Sequence, residues 1–514
     1  MVAAVVADGL AYPLKPVRLG IDTHQEMVVY LRRNSHVCRS EGFTSSNRVH
    51  IRIADRWILA SLSIVDNGYL LQPGEMGLSE SAWKKLNPTA DSVAQISHPN
   101  PVTSLSYLRH KVYGHRLNEH QTQAIIDDIV AGRYSDVHLS SFVTSCAGNA
   151  MNLDEIIALT KAMLKSGQQL KWGTDCVVDK HCVGGLAGNR TTPIVVAIVT
   201  ACGGVMPKTS SRAITSPAGT ADTMATMTQV DLKLNTLQKV VKEQGGCLAW
   251  GGSINLSPAD DILIRIERML DLDSEGQMVA SVLSKKAAAG STHVLIDIPI
   301  GPTAKVRSPE AADLLSSYLK KTGQALGLDV RIIRTDGTQP VGRGIGPALE
   351  AHDLLAVLRN KEDAPKDLRN RALTLAAELL EMANLSEPGQ GLALAASTLD
   401  SGLALKKFMA ICEAQGGFTE PGVAPYKYNW ISKVSGKVTG IDNRQLSQLA
   451  KLAGAPEDPT AGVTLNVELN EQITPGQLLL TVHADSPGEL QYAVNFLEAQ
   501  ANIIEISNEP TTDF

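Results

Sequence analysis

Hydrophobic and polar positions change their spacing along the chain, and these changes predict where one kind of element gives way to another. Over about the first ninety residues, short stretches alternate between apolar and polar positions and are separated by Asn, Gly and Pro turns, which is typical of β-strands. From about residue 104 the apolar positions recur at helical spacing, which predicts short amphipathic helices. The expected strands include residues 49–53 and 57–60, and the expected helices cover residues 117–131, 140–147 and 153–164.

The middle of the chain alternates between strand-like and helix-like stretches. The segment CVVDKH at 176–181 has the pattern of a buried strand, and it is followed by a glycine-rich turn and the helical stretch TPIVVAIVTA. Such alternation is typical of an α/β layer. Further strands are expected at 246–250, 293–299 and 329–335, and a second helical piece is expected at 258–286.

From about residue 429 the pattern of apolar and polar positions changes again. Short strand patterns occur at VSGKVTGI, VTLNVEL and LLLTVHA, and a helical pattern occurs at ELQYAVNFLEAQ. A chain of 514 residues is too long for one ordinary core. We therefore predict an α/β plus α fold class, with an N-terminal β-rich domain and a small C-terminal α+β domain. The expected domains are 1–95 (β-rich), 103–172 with 258–288 (helical), 173–257 with 289–425 (α/β) and 426–514 (α+β).

The charge and the cysteine content of the chain indicate which classes of ligand and which cellular compartment are expected. The net charge is −6, from 53 acidic and 47 basic residues, which gives no general attraction to nucleic acid or to an anionic membrane. The seven cysteines are scattered without zinc-type spacing, as expected for reduced thiols in a cytoplasmic protein with no metal site. The apolar start of the chain has no basic residues before it, so no signal peptide is expected. An anionic ligand must therefore be held by a local site.

Two segments contain the groups that such a site needs. The first, residues 179–193, reads DKHCVGGLAGNRTTP. Its glycines let the backbone pass close to a ligand, and Thr192 is expected as a helix N-cap with Pro193 as the first helical residue. The free N–H groups of a helix start attract an anion, and Lys180 adds a full charge. Taken alone, such a turn is as often a simple tight connection.

The second segment, residues 208–220, reads KTSSRAITSPAGT and holds six hydroxyl side chains and two cations. Hydroxyls and cations are good ligands for phosphate or ribose phosphate, although a Ser/Thr cluster by itself is usually a solvated loop. Neither segment matches GxxxxGK[ST] or GxGxxG, which disfavours ATP hydrolysis and dinucleotide binding. Both segments in one α/β unit indicate an anion site.

Five longer motifs follow one another along the chain: VDKHCVGG, PKTSSRAITSPAGTADTM, WGGSINLSPADD, SEGQMVASVLSKKAAAG and HVLIDIPIGPTAK. Together they make the chain similar to the thymidine phosphorylase family. The resemblance runs from about residue 100 to the C-terminus and is closest to the AMP phosphorylase branch, of which a β-rich N-terminal domain is also typical. It implies a helical domain facing a larger α/β domain across a cleft. It also implies inorganic phosphate as co-substrate without a further cofactor, and a homodimer or larger homo-oligomer.

The resemblance also implies roles for individual residues. Lys180, Ser210 and Thr220 match phosphate ligands, and Asp273 falls where the AMP phosphorylase branch has its proposed proton donor. Cys182 departs from the pattern, since the usual motif has serine there. The positions matching the nucleotide site are Gly185, Ser211, Arg212, Ala213, Ile214, Thr215, Ser216, Ser281 and Lys305.

Two substrates remain open at this point. A purine leaves best when protonated, which Asp273 could do; for a pyrimidine, His181 and Lys285 are the candidates for contacting the base oxygens. Thymidine-specific members of the family contact the base with an arginine, a serine and a lysine. Ser281 and Lys285 match the serine and the lysine. In place of the arginine, this chain has Ile266 or Glu267. AMP, giving adenine and ribose 1,5-bisphosphate, is therefore favoured over thymidine.

Two other classes of protein compete with a phosphorylase. A phosphoribosyltransferase would need a pyrophosphate–Mg²⁺ site, and no paired-acid motif of that kind is visible in the sequence. A non-catalytic nucleotide sensor would use the N-terminal domain for regulation, but the intact site motifs argue against a loss of activity.

Overall fold

The computed structural model of the chain describes residues 13–24, 26–40, 48–66, 68–213, 216–270, 272, 274–500 and 502–507. The signal-peptide prediction concerns residues 1–12, which lie outside this part. The described chain divides into two compact units, one up to residue 143 and the other from residue 144 onward. Within the described residues, no helix is long and apolar enough to cross a membrane.

The first unit contains a six-stranded mixed sheet with the strand order β1-β5-β2-β4-β3-β6. Strict alternation builds it: in β3, Val49, Ile51 and Ile53 are buried while Arg52 is exposed. Its strands are β1 (Lys15–Arg18), β2 (Val28–Arg32), β3 (Arg48–Ile53), β4 (Arg56–Val65), β5 (Glu75–Leu78) and β6 (Ala94–Ser97). The helices that begin in this unit are α1 (His36–Ser40), α2 (Glu80–Leu86), α3 (Ser104–Val112), α4 (Glu119–Val130) and α5 (Asp136–Ser145), the last of which crosses into the second unit.

The second unit begins with α6 (Leu153–Lys165) and is centred on two parallel ladders, β11-β10-β7 and β8-β9. The backbone N–H of Val178 donates to the carbonyl of Val205 (2.9 Å) and so links β7 to the chain just before β8. The strands of these ladders are β7 (Val178–Cys182), β8 (Met206–Ser210), β9 (Gly246–Trp250), β10 (His293–Ile300) and β11 (Asp329–Asp336).

Helix α7 (Thr191–Ala201) lies at the centre of this unit, because every residue from Thr191 to Thr200 is buried. Its apolar side chains form one core with those of α14 and α16, so the end of α7 that faces the glycine-rich loop is held firmly. The other helices of this part are α8 (Thr220–Ala225), α9 (Leu234–Gln244), α10 (Pro258–Leu270), α11 (Glu275–Ala288), α12 (Pro309–Ala325), α13 (Pro347–Leu358), α14 (Lys366–Met382), α15 (Gly391–Asp400) and α16 (Leu403–Ala414).

The C-terminal part adds two antiparallel sheets, β12-β15-β17-β13 and β16-β14-β18. Its elements are β12 (Gly344–Ile345), β13 (Tyr426–Ile431), β14 (Gly436–Ile441), α17 (Asn443–Leu452), β15 (Gly462–Leu465), β16 (Gln472–Ile473), β17 (Leu478–Ala484), α18 (Pro487–Ala499) and β18 (Ile504–Ser507).

The C-terminal part and the α/β part are joined at two places, by a strand pair and by the hydrogen bonds of one side chain. Strand β12 precedes the C-terminal segment by about eighty residues and yet pairs with β15. The buried side chain of Asn443 accepts from the N–H of Ala187 in the glycine-rich loop (3.1 Å) and donates to the hydroxyl of Thr303 (3.0 Å). Because Ala187 and Ile345 belong to the core of the C-terminal part, this part supports the loop directly.

The predicted fold class, α/β plus α with a β-rich N-terminal and a small α+β C-terminal part, is confirmed. The predicted start of α7 is wrong by two residues: the helix begins at Thr191, Arg190 takes the N-cap position without a side-chain cap, and Pro193 is the third helical residue. The division between the two compact units falls inside the segment 103–172, and the exact domain boundaries stay a prediction.

Candidate active site

A pocket of about 520 Å³ opens in the second unit, at the carboxyl ends of β7 and β8 and beside α10 and α11. The carboxyl ends of parallel strands are the usual place for ligands in α/β sheets. Three predicted site residues, Ile214, Thr215 and Asp273, lie outside the described residues. The other twelve all line this pocket: Lys180, His181, Gly185, Ser210, Ser211, Arg212, Ala213, Ser216, Thr220, Ser281, Lys285 and Lys305.

The glycine-rich loop after β7 makes a close approach that only glycine allows. Gly185 has φ +78°, and a Cβ at this position would lie 2.2 Å from the backbone nitrogen of Lys305. The segments around Gly185 and Lys305, which are more than a hundred residues apart in sequence, are therefore in direct contact at the pocket wall. This contact brings the Lys305 side chain to the loop that follows Lys180 and the end of β7.

Lys180 is buried, with 1% of its surface exposed, at the base of the pocket. Its ammonium group donates to the hydroxyl of Thr191, the first residue of α7, at 2.8 Å, and burial lowers its pKa. Within the described part of the chain, Lys180 has no salt bridge closer than 4.0 Å. Its charge is thus available to an anion at the start of α7, where free N–H groups favour one.

Cys182 and His181 are both uncharged in this setting. Burial raises the pKa of the Cys182 thiol to about 12, and the Asn189 amide donates to its sulfur at 3.3 Å. Burial, followed by the repulsion of nearby lysines, lowers the pKa of His181 well below its usual range. Neither residue therefore contributes a full charge to a bound substrate, and His181 acts as a neutral imidazole.

One carboxylate, that of Asp222, accepts hydrogen bonds from several groups of the second segment. Asp222 accepts from the backbone N–H groups of Ala213 (2.6 Å) and Gly219 (2.9 Å), which closes the loop on itself. It also accepts from the guanidinium of Arg212 (3.3 Å), which lies 5.1 Å from the centre of the Trp250 ring. Arg212 also pairs with Asp231 (3.2 Å), so its charge is balanced within the protein while its guanidinium and the Trp250 ring form one wall of the pocket.

Arg190 was not predicted from the sequence, although it joins the two segments. Its guanidinium donates to Glu350 (2.6 Å), to the hydroxyl of Thr220 (2.9 Å) and to the carbonyl of Ala218 (2.9 Å). Because Thr220 accepts from Arg190, its own hydroxyl hydrogen is directed elsewhere and is available to a ligand. Glu350 is 2% exposed, and burial raises its pKa.

The side of the pocket formed by α10 and α11 carries two more acids. The Lys285 ammonium donates to buried Asp260 at 2.6 Å, so its charge is balanced within the protein. Asp261, also not predicted, lines the pocket; partial desolvation and the adjacent Asp260 raise its pKa to about 6. Of the two residues that could stand in the place of the family arginine, Ile266 is buried at 1% exposure and Glu267 lines the pocket.

Comparison with known proteins gives matches over most of the chain. Residues 105–167 match the glycosyl transferase family, helical bundle domain; residues 174–405 match the a/b domain of that family; residues 437–504 match the pyrimidine nucleoside phosphorylase C-terminal domain.

Several curated relatives carry the name "Putative thymidine phosphorylase". The one from Hahella chejuensis is 58% identical over 492 residues, covering 96% of this chain and 97% of the relative. The one from Legionella pneumophila (strain Paris) is 52% identical over 500 residues, covering 97% and 96%.

A solved structure of anthranilate phosphoribosyltransferase from Saccharomyces cerevisiae, in complex with PRPP and Mg, shares the fold. It has a TM-score of 0.51 at 16% identity, and the match covers 61% of this chain and 98% of that one.

Proposed function

Because the chain belongs to the thymidine phosphorylase family and is a pentosyltransferase that acts on nucleosides with phosphate, we propose that its substrate is a nucleoside 5′-monophosphate. AMP is the first choice, giving adenine and ribose 1,5-bisphosphate. We further propose that it works as a homodimer or larger homo-oligomer.

In the proposed reaction, phosphate binds between the glycine-rich loop and the second segment. Lys180 supplies the charge, the start of α7 supplies N–H groups, and the hydroxyls of Ser210 and Thr220 supply further donors. The hydroxyl of Ser210 is buried and has no hydrogen-bond partner among the described residues, which is an unfavourable arrangement unless a ligand provides one. Held in this way, a phosphate oxygen attacks C1′ as the base departs.

The observation that favours a purine monophosphate is the pairing of Lys285 with Asp260. A lysine whose charge is balanced inside the protein is a weaker ligand for a pyrimidine oxygen. The arginine that would assist it has Ile266 or Glu267 in its place; Ile266 is buried, and Glu267 lines the pocket together with Arg268. A purine instead needs a proton at the ring, and Asp273 is proposed to give it, while Lys305 and the loop 211–216 hold the sugar phosphate.

Thymidine is the second candidate, and the names of the relatives favour it. Ser281 and Lys285 both line the pocket, which supports this candidate, because they match two of the three family contacts to thymine. In this case the neutral imidazole of His181 would contact the base.

A substrate panel separates the candidates. The protein is incubated without added metal with nucleosides and nucleoside 5′-monophosphates, with and without inorganic phosphate, and the free bases are detected. Phosphate-dependent adenine release from AMP supports the proposal, whereas release of thymine alone supports the second candidate. Binding without turnover would indicate a sensor, and a requirement for Mg²⁺ and pyrophosphate would indicate a phosphoribosyltransferase.

Asp273→Asn tests the proton donor. If AMP is the substrate, turnover should fall on the order of 10²–10⁴-fold, with little change in AMP binding because asparagine keeps the shape. If thymidine is the substrate, Lys285→Ala should reduce turnover far more than Asp273→Asn does. Wild-type turnover of AMP by Asp273→Asn would exclude the proton-donor role.

A further inference from the structure

A cluster of three buried charged residues lies beneath the pocket, and the proposed reaction assigns it no role. Asp179 accepts from the ammonium of Lys208 at 2.9 Å and from that of Lys286 at 2.6 Å. Asp179 is 1% exposed, and the side chains of both lysines are 5% exposed. Lys208 also donates to the carbonyl of Lys180 at 2.7 Å. We refer to these residues as the Asp179 cluster.

The cluster connects the three elements that carry the proposed substrate contacts. Asp179 precedes Lys180 on β7, Lys208 stands two residues before Ser210 on β8, and Lys286 follows Lys285 on α11. Both lysines of the cluster line the pocket. A change of charge in the cluster therefore changes the electrostatic potential at the anion site, because the protein interior screens charges weakly.

The charges in the cluster do not balance, since one carboxylate faces two ammonium groups. Groups of both signs surround them: Lys180 and His181 on β7, Lys285 beside Lys286 on α11, Asp260 on α10, which is paired with Lys285, and the buried Asp297 on β10, whose charge acts on Lys180. Cys247 on β9 also lies against the cluster, but burial raises the pKa of its thiol far above neutral, so it stays uncharged. An excess positive charge inside a protein is unfavourable unless an anion comes near it.

We propose that the Asp179 cluster is a counter-charge for the phosphate dianion, and that Lys286 takes up a proton from solvent when the dianion binds. The inference rests on the proposed use of phosphate at this pocket. Without the anion, the cluster can lose one proton and become neutral. With the anion bound, all three groups are charged and the cluster is +1. Lys208 and Lys286 act as positioning residues, not as groups that react.

The direction of the pKa values agrees with this scheme. Burial raises the cost of ionising Asp179, but Lys208 and Lys286 outweigh burial and lower its pKa, so it stays ionised. Burial, which outweighs the attraction of Asp179, lowers the pKa of Lys286 to about 7. An approaching dianion favours the protonated form and raises this pKa. Affinity for a dianion should therefore fall as the pH rises above about 7.

Sulfate is the right probe, because it stays a dianion across this pH range whereas phosphate itself titrates near neutrality. Its binding to the full chain is measured by calorimetry from pH 6 to 9 in two buffers of different ionisation enthalpy, and phosphate must displace it. For the wild type we expect weaker binding at higher pH and uptake of a fraction of a proton near pH 8. Sulfate binding without linked proton uptake would overturn the inference.

Variants at one position assign the proton. Lys286→Arg keeps the charge at every pH, so it should bind sulfate well and lose both the pH dependence and the proton uptake. Lys286→Met should bind sulfate about tenfold or more weakly at pH 6 and show no such dependence. Lys407→Met is the matched control, since Lys407 on α16 donates to the carbonyl of Gln244 and does not line the pocket.

The two proposals fail in different ways. Phosphate-dependent base release by a protein that takes up no proton with sulfate would overturn the role of the cluster and leave the proposed function standing. Wild-type proton uptake persisting in Lys286→Arg would also overturn that role. Absence of phosphate-dependent base release would overturn the proposed function, whatever the sulfate data.

Discussion

Lys180 and Asp179 are neighbours on β7, but their side chains have different surroundings. Asp179 is paired with two ammonium groups, whereas the Lys180 ammonium donates to the hydroxyl of Thr191 at 2.8 Å. Lys180→Ala removes the ammonium group that we propose to bind phosphate, and a charge-assisted hydrogen bond of this kind is worth roughly 1.5–3 kcal/mol. We expect the KM for phosphate to rise about ten- to a hundredfold, with little change in nucleotide binding. Steady-state kinetics with varied phosphate measure this.

Lys407→Ala is the control, because it removes a lysine that does not line the pocket, and it should keep the KM of the wild type. If Lys180→Ala kept both the KM for phosphate and the turnover, Lys180 would have to be removed from the phosphate site.

Cys182→Ser tests the departure from the family pattern. The thiol stays neutral, because burial raises its pKa to about 12, and it accepts from the Asn189 amide. A serine hydroxyl accepts that bond and is the better donor to phosphate. We expect full turnover and an equal or lower KM for phosphate; a loss of activity above about a hundredfold would point to a specific role of the thiol.

At the residue scale, the sequence predicts contacts that lie within one segment and misses those that join distant segments. Lys180, Ser210 and Thr220 occur in two dense motifs, so they can be recognised locally. Arg190 reads as part of a turn, because its partner Glu350 is 160 residues away. Asp261 is equally inconspicuous, since only the pocket and the adjacent Asp260 distinguish it from a surface acid at a helix start.

At the scale of elements, the loop after β7 depends on Gly185. Gly185→Ala places a Cβ 2.2 Å from the backbone nitrogen of Lys305 in addition to imposing φ +78° on alanine. The loop must move to relieve this contact, and we expect activity to fall at least tenfold.

Gly173→Ala is the matched control for this prediction. Gly173 has φ +71° but no atom within 4 Å of the added Cβ. It should lower stability by about 1–2 kcal/mol and leave phosphate kinetics unchanged. Equal kinetic effects of the two substitutions would mean that backbone strain, and not the contact with Lys305, is responsible.

Local signals account for the elements that the sequence predicts well. The helix α6 begins at Leu153, as its apolar spacing predicts, and its N-cap Asn152 forms a complete capping box with Glu155. Strand β8 is absent from the prediction, because Lys208 at its centre looks like a surface residue. It is 4% exposed because it pairs with Asp179 on another strand and donates to the carbonyl of Lys180. The start of α7 was misplaced since Arg190 at the N-cap has no capping side chain.

At the scale of the whole molecule, acid should destabilise the protein through its buried histidines. Burial, followed by Lys427 and His352, lowers the pKa of His483 to about 4, whereas an unfolded histidine titrates near 6.5. Below about pH 6.5 the unfolded chain therefore binds more protons than the folded one. The stability that neutral His483 contributes is present above pH 6.5 and is lost as the pH falls toward 4, by at most about 3 kcal/mol.

Thermal unfolding followed between pH 7 and 4 measures this effect. His483→Gln should show a smaller decrease of Tm with acid than the wild type does. His120→Gln, which changes an exposed histidine of α4, should match the wild type. An identical acid response of the wild type and His483→Gln would mean that His483 does not set the response.

The strand β12 and the Asn443 side chain have a consequence for how this gene can change by recombination. In the sequence, a crossover near residue 425 falls between the α/β part, which carries the pocket, and the C-terminal part. From the sequence alone it would not be expected to disturb either part. It would nevertheless divide one antiparallel ladder between two parents, and it would leave the amide of Asn443 facing a glycine-rich loop with which it had not co-evolved. Chimaeras joined there are expected to be viable only when positions 187, 303 and 345 are inherited together with the C-terminal segment.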